Sequence, residues 1–531
     1  MDKTAVIHRL VTGAEGAYFL SRPRRFGKSL LCSTLDAVFE GRRELFGEVA
    51  CQPKLAINAL DWPWKKHPVI RLDLNAGAYS NGIDELHSSL FRELDREARK
   101  LGVDLDGVNS INRFAYLIEQ SCAKFGERTV VIIDEYDKPL LETMDQPELH
   151  KHIRQDLKGF YGVLKSYDRY LRFVFITGVT KFSHVSIFSD LNHLDDLTLD
   201  PTYASICGWT QHELEQTFEP EIAEIMEKTG LARDQYIEKL RSYYNGYRFS
   251  EKPLTVYNPF GLLKHFKNGG KFSPYWYETG SPSFLVNLIR KQKINIANLG
   301  NMQIGYDSFS KYDIENMDAV TILYQSGYLT ISEYDPDEEK FALDYPNLEV
   351  RSSFAKSLVR QYLNAAQFNT NALILDLPKA FRSGELDGAM NTLRQFLASV
   401  PYEIIKETEN YFQTAIHLIF TIFGLNCRSE VRIADGRIDT LVETNDFVYC
   451  FEFKLDKSAD KALAQINTNE YLLPWTGSGK KLFKVGVNFD SEKRNIGEWK
   501  YETVDGSQPQ PSTPRTPAKP RRARKRPTKN K

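Results

Sequence analysis

Two short runs of almost uninterrupted apolar residues, TVVIIDEYD (129–137) and RFVFITGV (172–179), constrain this chain most. A strand with water on one face alternates apolar and polar side chains. A run that is apolar at nearly every position needs cover on both faces, the condition met inside a helix-flanked parallel sheet. AYFLS (17–21) and VIRLDLN (69–75) read as two more strands, and intervening segments such as ELHSSLFRELDREARKL (85–101) carry amphipathic helical spacing. The alternation predicts an α/β domain with a mostly parallel sheet over residues 1–205.

Beyond it the pattern changes twice. Residues 206–400 read as a mainly helical lid or middle region, broken by aromatic-rich turns such as YYNGYRFS and YWYETGSPSF. Residues 401–500 return to α/β text: a helix (TENYFQTAIHLIFTIFGL), strand-like runs and another helix. From 506 to 531 the chain has no aliphatic run, cannot build a core, and reads as a disordered tail. A composition 42% hydrophobic and 26% charged excludes a collagen-like, mucin-like or wholly disordered chain. No apolar window of about 18 residues suggests a membrane span. The N-terminus MDKTAVIHRLVTGAEG lacks the apolar core of a signal peptide. Six cysteines without a CxxC pair, and histidines without zinc spacing, argue against a disulfide scaffold or structural zinc. The default reading is cytoplasmic. The net charge of −1 hides an asymmetry: nine of the 69 basic residues and one of the 70 acidic ones lie from Asp505 onward, a tail of +8 on a body of −9.

The AYFLS strand runs directly into RPRRFGKS (22–29), followed by helical LLCSTLDAVFEG. Glycine lets the backbone approach a phosphate, lysine brings charge to the terminal phosphates, and the serine hydroxyl can ligate Mg²⁺. The helix N-terminus adds amides and the positive end of its dipole. Arg25, Phe26, Gly27, Lys28, Ser29 and Leu30 are therefore candidate nucleotide contacts. Arg22 stands where a phosphate loop usually has its first glycine, and with Pro23 it predicts a stiffer, more basic loop. Gly-Lys-Ser alone also suits a surface turn. The second strand shifts the balance, because VVIIDEYD ends on Asp134, placed for the Mg²⁺ shell, and Glu135, placed to polarise water. An acidic pair capping a strand is the bland alternative. Thr177, ending the next strand, is a candidate γ-phosphate contact or an ordinary strand-end threonine, and Arg248 in YNGYRF is a weaker phosphate candidate.

A second constellation lies in SEVRIADGRIDTLVETNDFVYCFEFKLD (429–456). VRIADGRIDTLVE reads as a hairpin turning at Asp435-Gly436. On the strand FVYCFEFK, Cys450, Glu452 and Lys454 share one face, and Tyr449, Phe451 and Phe453 the other. With Asp439 on the neighbouring strand, two carboxylates and the Phe453 carbonyl form a hard-oxygen set suited to Mg²⁺. Lys454 would position a nucleophile or neutralise charge, and Glu430 would add a further carboxylate. A cross-strand salt bridge is the competing reading of ExK. The helix ADKALAQINTNEYL offers Gln465 and Tyr471 toward the same face.

The stretches MDKT, YFLSRPRRFGKSLL, VVIIDEYDKPL, YYNGYRF, VYNPF, YWYETGSPSFL, YPNLEVR, GRIDTLVE and FEFKLDKSADKALAQI resemble, in order, a bacterial family of AAA-ATPase-like proteins with a C-terminal PD-(D/E)XK nuclease superfamily domain. The resemblance covers nearly the whole chain to about residue 490. It implies a P-loop NTPase sheet, a helical middle and a restriction-endonuclease-like domain. It also implies that arginine at 22 is the family's own form of the loop. Asp134 and Glu135 would be the Mg²⁺ and water pair, and Asp439, Glu452 and Lys454 the nuclease motif, with Glu430 upstream and Gln465 in the following helix. Members usually carry more chain before DKT, which implies a shortened or late-assigned start at Met1. The basic tail lies outside the resemblance.

Two functional classes follow. In one, ATP and Mg²⁺ drive an enzyme whose nuclease domain acts on nucleic acid, DNA more than RNA, with the tail supplying nonspecific attraction that an acidic body lacks. In the other, a nucleotide-switched signalling or interaction protein uses the nuclease fold only to bind. Protein partners or a homo-oligomer fit either class, and no membrane association is expected.

Overall fold

The computed structural model describes residues 2–505 apart from 14–15, 48–54, 109–111, 182–193, 280–282, 293, 295, 297–298, 300–301, 307–317, 363–370, 399–408, 423–425 and 434–435. The basic tail therefore lies outside the described residues, as does Asp435 of the expected hairpin turn. The chain divides into two compact units: residues 1–367 with 414–424, and residues 368–413 with 425–531.

The first unit is built on a five-stranded, all-parallel sheet. Its strands are β1 (Ala17–Ser21), β2 (Val69–Asp73), β3 (Thr129–Asp134), β4 (Leu171–Gly178) and β5 (Leu194–Asp196), in the order β2-β3-β4-β1-β5. Every residue of β1 and β3 is buried, as their uninterrupted apolar text requires. The helix Lys28–Phe39 buries Leu31, Cys32, Leu35 and Val38 and packs against β3. Helix Ile83–Leu101 starts with Asp84 and Glu85, ends with Arg99 and Lys100, and stops at the left-handed Gly102, so its charges oppose its dipole at both ends. Because β4 lies between β1 and β3, the chain leaves all three at one edge of the sheet, where Ser21 stands beside Gly178. In open α/β sheets that carboxyl edge is where ligands sit.

The helices Gln211–Thr217, Glu219–Thr229, Arg233–Tyr244 and Pro259–Lys267 follow. Thr210 and Glu213 form a reciprocal capping box at the first of them. Trp209, Phe218, Tyr236, Tyr244 and Tyr257 belong to their shared core, so Tyr244 of YYNGYRF is packing, with Tyr243 partly buried against it. A two-stranded ribbon of β6 (Tyr247–Arg248) and β7 (Thr255–Val256) is present. So is an antiparallel sheet of β8 (Met302–Gly305), β9 (Thr330–Asp335) and β10 (Lys340–Asp344), an addition to the mainly helical expectation.

The second unit carries a mixed five-stranded sheet in sequence order: β11 (Asn426–Ile433), β12 (Gly436–Glu443), β13 (Phe447–Leu455), β14 (Lys481–Asp490) and β15 (Asn495–Asp505). Only β13 and β14 run parallel, joined across one face by helix Ala459–Thr468, whose first turn is capped by Ser458. Leu463 and Ile466 of that helix pack with Leu441, Cys450 and Leu482. The opposite face of β13 stacks Tyr449, Phe451 and Phe453 against Phe381, Phe483 and Phe489. The helix comes so close to β14 that a Cβ at Gly486 would lie 2.4 Å from the Ala459 carbonyl oxygen and 2.9 Å from Leu463 N. Both are backbone atoms and cannot rotate away, so Gly486→Ala must push the helix off the sheet at a cost of about 1–3 kcal/mol. Hydrogen exchange should show β13 and β14 amides opening faster by about 10- to 100-fold, with the first unit unchanged.

Candidate functional site

The first site is assembled at the carboxyl edge of the parallel sheet. Gly27 caps helix Lys28–Phe39 with φ of 92°, a left-handed conformation that glycine adopts without strain. Arg25 also lies at positive φ, 65°. Lys28 is 3% exposed; its Nζ donates to the Pro23 carbonyl at 3.4 Å and pairs with Glu135 at 3.3 Å. Asp134 is fully buried at the end of β3; its carboxylate oxygens make no well-aligned hydrogen bond among the described residues, and the Ser29 hydroxyl is the side-chain donor close enough to act on them. Burial raises its pKa, opposed by the Ser29 hydroxyl and Lys28 and reinforced by Glu135. A buried carboxylate beside a serine hydroxyl, with no cationic group among the described residues in a hydrogen bond to it, has the donor chemistry a divalent cation needs. Arg25, Gly27, Lys28, Ser29, Leu30 and Glu135 all line one cavity of about 700 Å³, with Arg24, Lys138, Glu142 and Phe260. A second cavity of about 450 Å³ shares Gly27, Leu30, Pro259 and Leu263 with it and is bounded mainly by apolar groups, among them Ile7, Phe46 and Trp209.

Other expected contacts face elsewhere. Thr177 is fully buried and donates to the Leu20 carbonyl at 2.7 Å, joining β4 to β1. The Phe26 ring packs edge-on against Tyr247 and Phe249, away from the larger cavity. Arg22 does not make the loop surface more basic. It is 1% exposed, donates to the carbonyls of Ser21, Thr198 and Tyr203, and lies 4.2 Å from the Phe249 ring centre. Burial lowers its pKa. Arg248 likewise donates to the carbonyls of Ser250, Ser332 and Glu251.

Two acids act here without having been singled out. Asp137, the last residue of VVIIDEYD, is fully buried and accepts from Val179 N, Thr180 N and the Thr180 hydroxyl, tying the β3 and β4 ends together. Its pKa is pushed up to about 6, first by burial and then by Glu135. Glu349, in YPNLEVR, is fully buried and accepts from Trp276 N at 2.7 Å and Tyr277 N at 3.3 Å. The Trp276 indole donates to the Arg24 carbonyl at 2.9 Å, so Glu349 supports the phosphate loop through one tryptophan. The only sequence signal for either was an acid within apolar text.

In the second unit Thr440 pairs with Phe451, which brings Asp439 and Glu452 to the next position of adjacent strands. Asp439 is 9% and Glu452 1% exposed. Asp439 accepts from Phe453 N at 2.9 Å, and Lys454 donates to Glu452 at 2.7 Å. Burial raises the Cys450 pKa, with Glu452 and Asp439 adding to it, as expected for a thiol on the same face. Two buried carboxylates side by side on adjacent strands suit a hard cation that keeps waters. Among the described residues no cluster of three or more His, Cys, Asp or Glu forms a ready cage. Glu430 stands in β11, but its side chain lies outside the described residues. Gln465 and Asn469 both donate to the Tyr471 hydroxyl, so this helix presents a linked trio and not separate polar groups.

These two sites define the class. Residues 1–188 match a family described as "Predicted AAA-ATPase", and residues 407–499 match the "PD-(D/E)XK nuclease superfamily". The chain is 34% identical over 516 residues, 95% of each chain, to a protein of Azotobacter chroococcum mcd 1 described as an "Uncharacterized protein in vnfD 5'region". The chain belongs to this family of AAA-ATPase-like proteins with a C-terminal PD-(D/E)XK nuclease superfamily domain. No described helix is long and apolar enough to cross a membrane.

Burial raises the Glu349 pKa from 4.5 to about 8. A raised pKa favours the protonated form on folding, so its stabilising contribution is complete below about pH 4.5 and is lost as pH rises through about 8. Relative to Glu349→Gln, which stays neutral and still accepts the two amides, the wild-type Tm should fall steadily between those limits.

Proposed function

We propose that the protein binds and hydrolyses ATP with Mg²⁺ at the parallel-sheet edge, and that its C-terminal unit cleaves nucleic-acid phosphodiesters, DNA in preference to RNA. One observation carries the reading: the buried Asp134 carboxylate lies beside Ser29, with the Lys28–Glu135 pair lining a cavity large enough for a nucleotide.

In this reading Gly27 presents backbone amides to the phosphates, and Lys28 leaves Glu135 to neutralise the terminal phosphate. That exchange frees Glu135 to accept a proton from the attacking water. Ser29 and Asp134 hold Mg²⁺, which supplies charge neutralisation on the phosphates. The adjoining apolar cavity takes the base, with Leu30 and Leu263 between base and phosphates. In the second unit Asp439, Glu452 and the Phe453 carbonyl hold Mg²⁺, and Lys454 orients water toward the phosphodiester. The basic residues from Arg515 onward supply a salt-sensitive attraction to the polyanion.

The Lys454–Glu452 pair at 2.7 Å also suits the second reading, a nuclease fold that binds without cleaving. Assays on the full chain separate the two. Lys28→Ala should weaken ATP binding by about 100-fold or more, while Glu135→Gln binds ATP but hydrolyses it about 10²–10⁴-fold more slowly. Mg²⁺-dependent cleavage of plasmid and single-stranded DNA should disappear in Glu452→Ala with circular dichroism unchanged. Cleavage that persists in this variant removes the nuclease assignment, and wild type that binds ATP but never cuts favours the binding protein.

A further inference from the structure

Four cationic side chains line the larger cavity: Arg24, Arg25, Lys28 and Lys138. Three are already engaged. Lys28 pairs with Glu135, Lys138 donates to Asn75 and pairs with Glu142, and Arg25 lies 5.0 Å from the Phe260 ring centre. Arg24 differs in that its backbone is held while its side chain is not. Its carbonyl accepts from the Trp276 indole, Trp276 is fixed in turn by Glu349, and Pro23 before it packs onto Gly327. The side chain is exposed, and among the described residues no carboxylate pairs with its guanidinium. Its positive charge acts on the neighbouring Tyr328 hydroxyl, opposing the rise in pKa that burial imposes there.

Position adds a direction. The base-side cavity is lined by Phe26, Gly27 and Leu30 but not by Arg24. Arg24 instead lines the larger cavity together with a small one of about 120 Å³ bounded by Val179, Thr180, Trp276 and Tyr328. A nucleotide whose base occupies the apolar side and whose phosphates cross Gly27–Ser29 toward Glu135 therefore directs its terminal phosphate to the Arg24 end. The other arginines are placed differently: Arg22 and Arg248 are spent on backbone carbonyls, and Arg25, which lines the larger cavity but not the small one, lies over the Phe260 ring.

We propose that Arg24 is a catalytic arginine supplied in cis, from within the phosphate loop, which stabilises charge on the transferring phosphoryl group. The proposal rests on the ATP reading above. In the step, a water oxygen bonds to the γ-phosphorus while the bond to the β–γ bridging oxygen breaks. The electron pair leaves with ADP, and the water proton passes to Glu135 and then to solvent, giving ADP, inorganic phosphate and one proton. Charge grows on the bridging oxygen as that bond lengthens, so a guanidinium reaching it acts mainly in the transition state. A chain with its own arginine has no need of one from a neighbouring subunit.

The test uses the full-length protein and three measurements: single-turnover ATP hydrolysis, affinity for Mg·ADP, and affinity for Mg·ADP with aluminium fluoride as a mimic of the transferring phosphoryl group. Arg24→Ala should lower the hydrolysis rate by about 10³-fold and abolish the extra affinity for the aluminium fluoride complex, with ADP affinity within about threefold of wild type. The wild-type rate per chain should not depend on protein concentration. Wild-type hydrolysis by Arg24→Ala, parallel loss of ADP and aluminium fluoride affinity, or a per-chain rate that rises with concentration would each overturn the proposal. Lys28→Ala is the control for the underlying reading: if wild type and Lys28→Ala bind ADP equally poorly, the ATP reading itself fails, an outcome distinct from any effect of Arg24.

Discussion

A sheet buried on both faces can show polar chemistry only at its ends, and the first unit is organised around that constraint. With β1, β4 and β3 fully or almost fully buried, the residues able to meet solvent or a ligand are those just past Ser21, Asp134 and Gly178. Parallel pairing puts all three exits on one edge. Lys28, Glu135 and Val179 thus line one cavity although they are far apart in sequence. Asp137 keeps the exits together: its buried carboxylate takes two amides and a hydroxyl from the β4 exit. A charge held so far from water persists only because its acceptors are filled.

The same logic sorts the loop's basic residues. Three arginines follow within four residues of β1, and a formal count gives them equal standing. Burial separates them. Arg22 is enclosed and its two terminal nitrogens donate to backbone carbonyls, which offsets much of the cost of burying the guanidinium. Arg25 lies over a ring, and Arg24 projects into open volume while a tryptophan holds its backbone. Net charge says little about where charge acts.

The second unit repeats the arrangement on a smaller scale. Along β13 the aromatic face provides the packing that keeps the strand in register, leaving the alternate face free to carry Glu452 and Lys454. Helix Ala459–Thr468 closes over that face tightly enough to demand glycine at 486. Two carboxylates are therefore brought together in a largely dry setting, where charge interacts strongly with a cation or with lysine.

Much of this was legible in the sequence because it depends on local periodicity. Uninterrupted apolar runs announced buried parallel strands, and alternation along FVYCFEFK separated the aromatic face from the Glu and Lys face. The motifs Gly-Lys-Ser, Asp-Glu and Asp…Glu-x-Lys carried their chemistry in residue type and spacing. What the sequence could not determine was direction. Thr177 and Phe26 sit within motifs, yet one bonds across to β1 and the other packs inward. Arg22 reads as loop charge and becomes core. Asp137, Trp276 and Glu349 gain their roles only through partners as far as about 250 residues away, such as Arg24 for Trp276. The physical reason is that periodicity sets which face a side chain occupies, whereas burial and hydrogen-bond partners are set by whatever element the fold brings against that face.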